Sequence, residues 1–139
     1  MEQLFTHALG LVPPWAVISV DFRETEGAIY FAVECVAKRL PCPGCAALDQ
    51  PIHDRIERRW QHLHFFQFRA FIDARLPRVA CDRCGKTGQV EVPWARAGSG
   101  FSLTLEAFVI ALCQSMPVAC WRALKIYQPF SLTSDQHFR

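Results

Sequence analysis

The chain lacks the features that would announce most chemistries. No apolar run reaches the 18 or more residues of a membrane span; the longest, Phe101 to Met116, is broken by Ser102, Thr104, Glu106 and Gln114. Residues 1–20 show neither a basic start nor a small-residue cleavage site, so no secretory signal is expected. No phosphate-cradling glycine-rich loop, no G-x-S-x-G and no prominent Cys/His nucleophile pair is present. After residue 92 the only carboxylates are Glu106 and Asp135, too few for paired-metal strand chemistry. There is no internal repeat and no low-complexity tract. A hydrophobic content of 51% argues against disorder, and 139 residues can bury a core.

Cysteine is what the chain does have. Cys42-Pro-Gly-Cys45 and Cys81-Asp-Arg-Cys84 are two C-x-x-C turns with 35 residues, 46 to 80, between them. A tetrahedral zinc ion needs four donors at about 2.3 Å for sulfur, and each such turn delivers two from one tight bend. Two disulfides or four unrelated core thiols are the alternatives. A leaderless chain implies a reducing cytosol, where paired turns hold metal. Zn²⁺ bound by Cys42, Cys45, Cys81 and Cys84 is therefore expected, in a structural role, because four thiolates leave no open position for water. With ligands 35 residues apart, that ion is expected to contribute a large part of the folding stability. Cys35, Cys113 and Cys120 are left over and read as small buried hydrophobes. His53 is read as an ordinary or neighbouring histidine, His62 and His64 as polar strand residues.

Charge is modest in sum, +2, but uneven. Residues 1–37 hold Arg23 against Glu2, Asp21, Glu24, Glu26 and Glu34; residues 55–96 hold nine bases against four acids. Arg55, Arg58, Arg59, Arg69, Arg75, Arg78, Arg83 and Lys86 thus surround the metal segment and are candidate phosphate contacts. The bland alternative is a solvated strand face. Trp60, Phe65, Phe66, Phe68 and Phe71 interleave with these arginines; at strand period they read as core before they read as a stacking platform.

The expected fold class is α+β in three parts. Residues 1–37 form a short helix ended at Gly10 and a β-hairpin turning at Glu24–Gly27. Residues 38–93 form a zinc-ribbon-like antiparallel module with strands at Arg58–Phe65 and Gln67–Leu76, ended or edged by Pro77. Residues 94–139 form a helical pair, capped by Ser102 or Ser99 and broken at Met116-Pro117, with a frayed tail after Gln128.

In order, Leu9–Leu11, Cys42–Cys45, His53-Asp54, Arg58–Leu63, Pro77–Gly85 and Val92–Arg96 resemble the start of bacterial transposases of the ISL3 insertion-sequence family. The resemblance spans residues 1 to about 118. It implies a zinc finger that helps bind the terminal inverted repeats of a mobile element. The family's following catalytic domain, of the RNase H type, has no counterpart here, so no catalysis by this polypeptide is expected. The family also continues into a helix-turn-helix after a segment like Met116–Ala119; here Cys120–Leu124 follow with no glycine-containing turn, and no recognition helix is expected. The leading expectation is a cytoplasmic, non-catalytic module that binds DNA at element ends and blocks an intact enzyme. The alternative is a mobile-element-borne inhibitor or interaction module that docks on a protein (a transposase, a host-defence nuclease) or on itself through residues 102–127.

Overall fold

The computed structural model of the protein describes residues 1–117 and 119. The apolar positions Leu4, Phe5, Ala8 and Leu9 fall on one helical stripe, and α1 (Glu2–Ala8) forms there and stops before Gly10, whose φ of 67° only glycine adopts freely. Alternating apolar residues then build β1 (Trp15–Arg23) and β2 (Ala28–Cys35), joined by a short turn at Glu24–Glu26 and a left-handed Gly27. β3 (Arg39–Leu40) leads into the first C-x-x-C turn. β4 (Gln50–Phe65) and β5 (Phe68–Ala80) form a long hairpin, and β6 (Thr87–Gln89) follows the second turn. α2 (Leu103–Ser115) closes the described chain. The α+β class is as the sequence implies. The helix expected to run on to Tyr127, and the tail, lie outside the described residues.

The hairpin β1–β2 finds its partner in the metal-bearing strands. The order is β1-β2-β5-β4-β3, with β6 against the far part of β5. β2 runs parallel to β5, from Ala28 beside Arg69 to Glu34 beside Arg75. Within residues 38–93 every strand pairing is antiparallel, as the sequence implies, and the parallel β2–β5 contact makes the whole sheet mixed. Met1–Leu105 pack as one compact unit, and a second begins at Glu106; the sequence reading had drawn boundaries after 37 and 93. No helix among the described residues is long and apolar enough to cross a membrane.

The hairpin strands are longer than their alternation suggests. β4 begins at Gln50, directly after the first turn, and β5 runs through Pro77 to Ala80. Pro77 was expected to end the strand because it offers no ladder donor. It is tolerated by its position: β2 pairs β5 only up to Arg75, and β6 only from Arg78. The missing N–H falls in the gap between these two partners, while the Pro77 carbonyl accepts from Val90 N–H at 3.2 Å.

One sheet face carries Phe31, Val33, Trp60, Ile72 and Leu76, and Val79, Leu9, Leu11, Trp15 and Trp94 belong to the same core cluster. Trp94 meets Trp15 and Trp60 edge-on, with ring centroids 5.0 and 5.5 Å apart. The other face is a set of cross-strand rows. Glu34, Arg75 and Glu57 line up across β2, β5 and β4, as do Tyr30, Phe71 and Gln61. Cys35 is buried as expected, but Cys113 is exposed on α2, which corrects its reading as a core residue; Cys120 is not described.

Candidate metal centre and basic surface

Both C-x-x-C turns close with the same backbone bonds. Cys42 N–H donates to Ala47 O (2.9 Å) and Ala46 N–H to Cys42 O (3.0 Å). At the same spacings in the second turn, Cys81 N–H donates to Lys86 O (3.0 Å) and Gly85 N–H to Cys81 O (2.9 Å). Each turn needs a left-handed residue at its fifth position, with φ of 58° at Ala46 and 69° at Gly85. Amide groups also reach the sulfurs: Gly44 N–H to Cys42 Sγ at 3.3 Å and Cys84 N–H to Cys81 Sγ at 3.4 Å. β6 presses on the first turn so closely that a Cβ at Gly88 would come 2.7 Å from Pro43 Cγ.

The four sulfurs converge within 4.8 Å of one another, with Cys42–Cys84 at 3.8 Å and Cys45–Cys81 at 3.5 Å. A tetrahedron with zinc–sulfur bonds of about 2.3 Å has edges of about 3.8 Å, so this donor set fits zinc with little movement. No sulfur pair is bonded; all four cysteines are free thiols, which sets aside the disulfide alternative. In the metal-free state the sulfurs compete for charge. The N–H groups of Cys45 and Gly44 pull the Cys42 thiol down to about 6. At Cys45 the Ala47 N–H also pulls downward, but the Cys81 thiol, burial and the Cys42 and Cys84 thiols outweigh it and push the group up to about 11. A divalent cation removes that competition by holding all four as thiolates. The site is closed, so the zinc is structural.

Of the eight cations expected to meet phosphate, the structure ties several to carboxylates. Arg59 makes a two-pronged pair with Asp73 (2.5 and 2.8 Å), its cross-strand neighbour, while lying over Tyr30 and Phe71. Arg75 reaches Glu34 at 3.3 Å and Glu57 at 3.8 Å. Arg78 pairs with Asp54, and that guanidinium holds the Asp54 carboxyl below its usual range. Arg55 donates to the Cys35 carbonyl and Arg69 to the Glu26 carbonyl. Arg58 lies over Trp60. Arg83 and Lys86, exposed on the second turn, have no ion pair among the described residues. Lys38, exposed ahead of the first turn, is in the same position; its isolation beside one acid-poor turn was the signal in the sequence, and it was missed.

The histidines read as strand residues have a structural role. His62 is buried, and its Nδ1 lies 2.7 Å from Ser102 Oγ, which accepts from Leu105 N–H at 3.2 Å and so caps α2. Burial lowers the pKa of both His62 and His64. His53 is exposed and outside the sulfur cluster.

Two family models match this arrangement. One, described as the zinc-finger of transposase IS204/IS1001/IS1096/IS1165, covers residues 38–84. The other, the helix-turn-helix domain of transposase family ISL3, covers residues 90–119. The second corrects the expectation that no helix-turn-helix is present. That expectation looked for the motif after Met116, whereas the match takes in Trp94, the Ser102 cap and α2. No curated protein and no solved structure matches the chain. A four-thiolate ribbon followed directly by this helix-turn-helix segment places the chain in the ISL3 transposase family, of which it carries the N-terminal, zinc-ribbon and helix-turn-helix region.

Proposed function

We propose that this region binds duplex DNA at the ends of its mobile element and performs no strand chemistry itself. The observation that carries the reading is the pairing of a zinc ribbon with a helix-turn-helix segment on one stretch of chain, residues 38–119. Arg58, Arg83, Lys86 and Lys38 are the cations assigned to phosphate, since none of them has a carboxylate partner among the described residues. The four-thiolate zinc centre carries two net negative charges, so Arg83 and Lys86 also offset the metal site, and the ribbon alone is a modest electrostatic anchor. Arg59, Arg75 and Arg78 act within the sheet. The carboxylates are spent in the same way: Asp54, Asp73 and Glu34 each face an arginine rather than one another. Bound at element ends without cutting, the region competes with an intact transposase for the same DNA.

Gel retardation with a duplex carrying the element's terminal repeat, titrated with salt, tests this. Retardation is expected at about 50 mM salt, with log affinity falling by roughly 0.9 per phosphate contact for each tenfold rise in salt. Arg83→Gln with Lys86→Gln should flatten that slope by about two contacts. Absence of any retardation at low salt by zinc-loaded protein removes the proposal.

A further inference from the structure

β4 and β5 are joined by only two residues, Phe66 and Gln67. Phe66 has a left-handed backbone, φ 55°, and its side chain is 92% exposed. Asparagine or glycine would make the same turn without backbone strain, and an exposed ring gains nothing from the core. Folding therefore gives no account of a phenylalanine at this position. A strained, solvent-facing aromatic residue on a rigid hairpin is the form a binding anchor takes.

The surroundings decide what it binds. Because β2 and β5 are parallel, the Glu24–Gly27 turn lies beside the hairpin tip; Arg69 N–H donates to Gly27 O at 2.9 Å. Phe22, half exposed on β1, meets Phe68 edge-on at 4.7 Å, so the tip continues into an aromatic patch. The cations at this end are engaged: Arg23 by Asp21 (2.8 Å) and Glu26 (3.4 Å), Arg69 by the Glu26 carbonyl. Glu24 is exposed and has no ion pair among the described residues. Arg69 keeps its charge, since a carbonyl does not neutralise it, but Asp21, Glu24 and Glu26 outnumber Arg23 and Arg69, so a phosphate backbone would meet net negative charge here.

We infer that the β4–β5 tip, with Phe66 as anchor and Phe22 and Phe68 beside it, docks an apolar protein segment that carries basic residues. Phe66 fills an apolar recess in that partner, and a lysine or arginine of the partner meets Glu24. This contact is independent of the DNA reading and lies at the opposite end of the β4–β5 hairpin from the zinc centre.

The test is fluorescence anisotropy with a labelled amphipathic leucine/lysine peptide, about 15 residues long so that it is helical, and a leucine/glutamate peptide as control. Phe66→Asn keeps the turn, since asparagine tolerates the left-handed backbone, and removes the ring. The zinc-loaded wild type is expected to bind the lysine peptide and not the glutamate one. Phe66→Asn should weaken that binding at least tenfold and Glu24→Lys several-fold, with zinc content and DNA retardation unchanged and a melting temperature that in Phe66→Asn is no lower than in the wild type. Four results overturn the proposal: no binding of the lysine peptide; equal binding by Phe66→Asn; loss of DNA retardation in Phe66→Asn; or a wild-type dimer that Phe66→Asn dissolves, which would assign the tip to a second copy.

Discussion

Ala46 and Gly85 occupy equivalent positions in two turns that share their hydrogen bonds, yet only one is glycine. A left-handed backbone costs a Cβ-bearing residue on the order of 1–2 kcal/mol, part of which a glycine would return as greater freedom in the unfolded chain. Ala46→Gly is therefore expected to raise the stability of the zinc-loaded protein by about 0.5–1 kcal/mol, and Gly85→Ala to lower it by a similar amount or more. Denaturant unfolding checks both. Cys42→Ser and Cys81→Ser should abolish stoichiometric zinc, measured by metal analysis, since each removes a donor from a four-sulfur set with no spare ligand among the described residues. The four ligands were legible because C-x-x-C spacing is itself the geometric requirement. The strain at Ala46 and Phe66 was not, because neither residue bears a turn signature; Phe66 fitted the apolar phase of the strand that follows it.

Strands and caps were legible where a periodicity or a capping residue marks them, and illegible where a partner decides. Alternation found β1 and β2, and a serine ahead of an apolar stripe found the start of α2. The parallel contact of β2 with β5 left no local mark, and Pro77 misled because its missing donor matters only if a neighbour asks for it. His62 is the element-scale example with a measurable consequence. Ser102 O–H donates to the neutral imidazole while Ser102 Oγ accepts from Leu105, so the cap is built around an uncharged ring. Ser102→Ala should cost about 1 kcal/mol. Burial lowers the His62 pKa, so the unfolded chain takes up its proton first as pH falls. Its stabilising contribution is full above the unfolded value of about 6.5 and is lost as pH falls from there toward the lower folded-state pKa. The stability difference between wild type and His62→Gln, followed between about pH 8 and 5.5, should shrink on acidification. A difference that is constant or grows would show that burial does not govern this group.

At the scale of the molecule, the charge asymmetry was visible but its meaning was not. The acidic N-terminal segment and the basic middle segment are neighbours in one sheet, where Glu34 of β2 meets Arg75 of β5, so part of the apparent basic face is neutralised from the N-terminal segment and part inside the β4–β5 hairpin, where Asp73 meets Arg59 and Asp54 meets Arg78. The same sheet changes what zinc does. Ligands 35 residues apart looked dependent on the metal to find each other, but the β4–β5 ladder, from Ile52 beside Val79 to Phe65 beside Phe68, already brings the two turns together. The hydrophobic clusters divide accordingly: a large one around Phe31, Trp60 and Ile72, and a small one of Cys42, Ala47 and Cys81 under the metal. Zinc thus closes one end of a sheet that has its own core. Chelation is expected to remove amide protection from residues 38–50 and 80–89 while β1, β2 and the middle of β5 stay protected, as hydrogen exchange resolved by segment would report. Global loss of protection on chelation would show instead that the apolar core cannot hold the sheet and that the ion stabilises the whole fold, as in a small zinc finger. The size of the large cluster, with Trp15, Trp60 and Trp94 packed edge to face inside it, favours the local outcome.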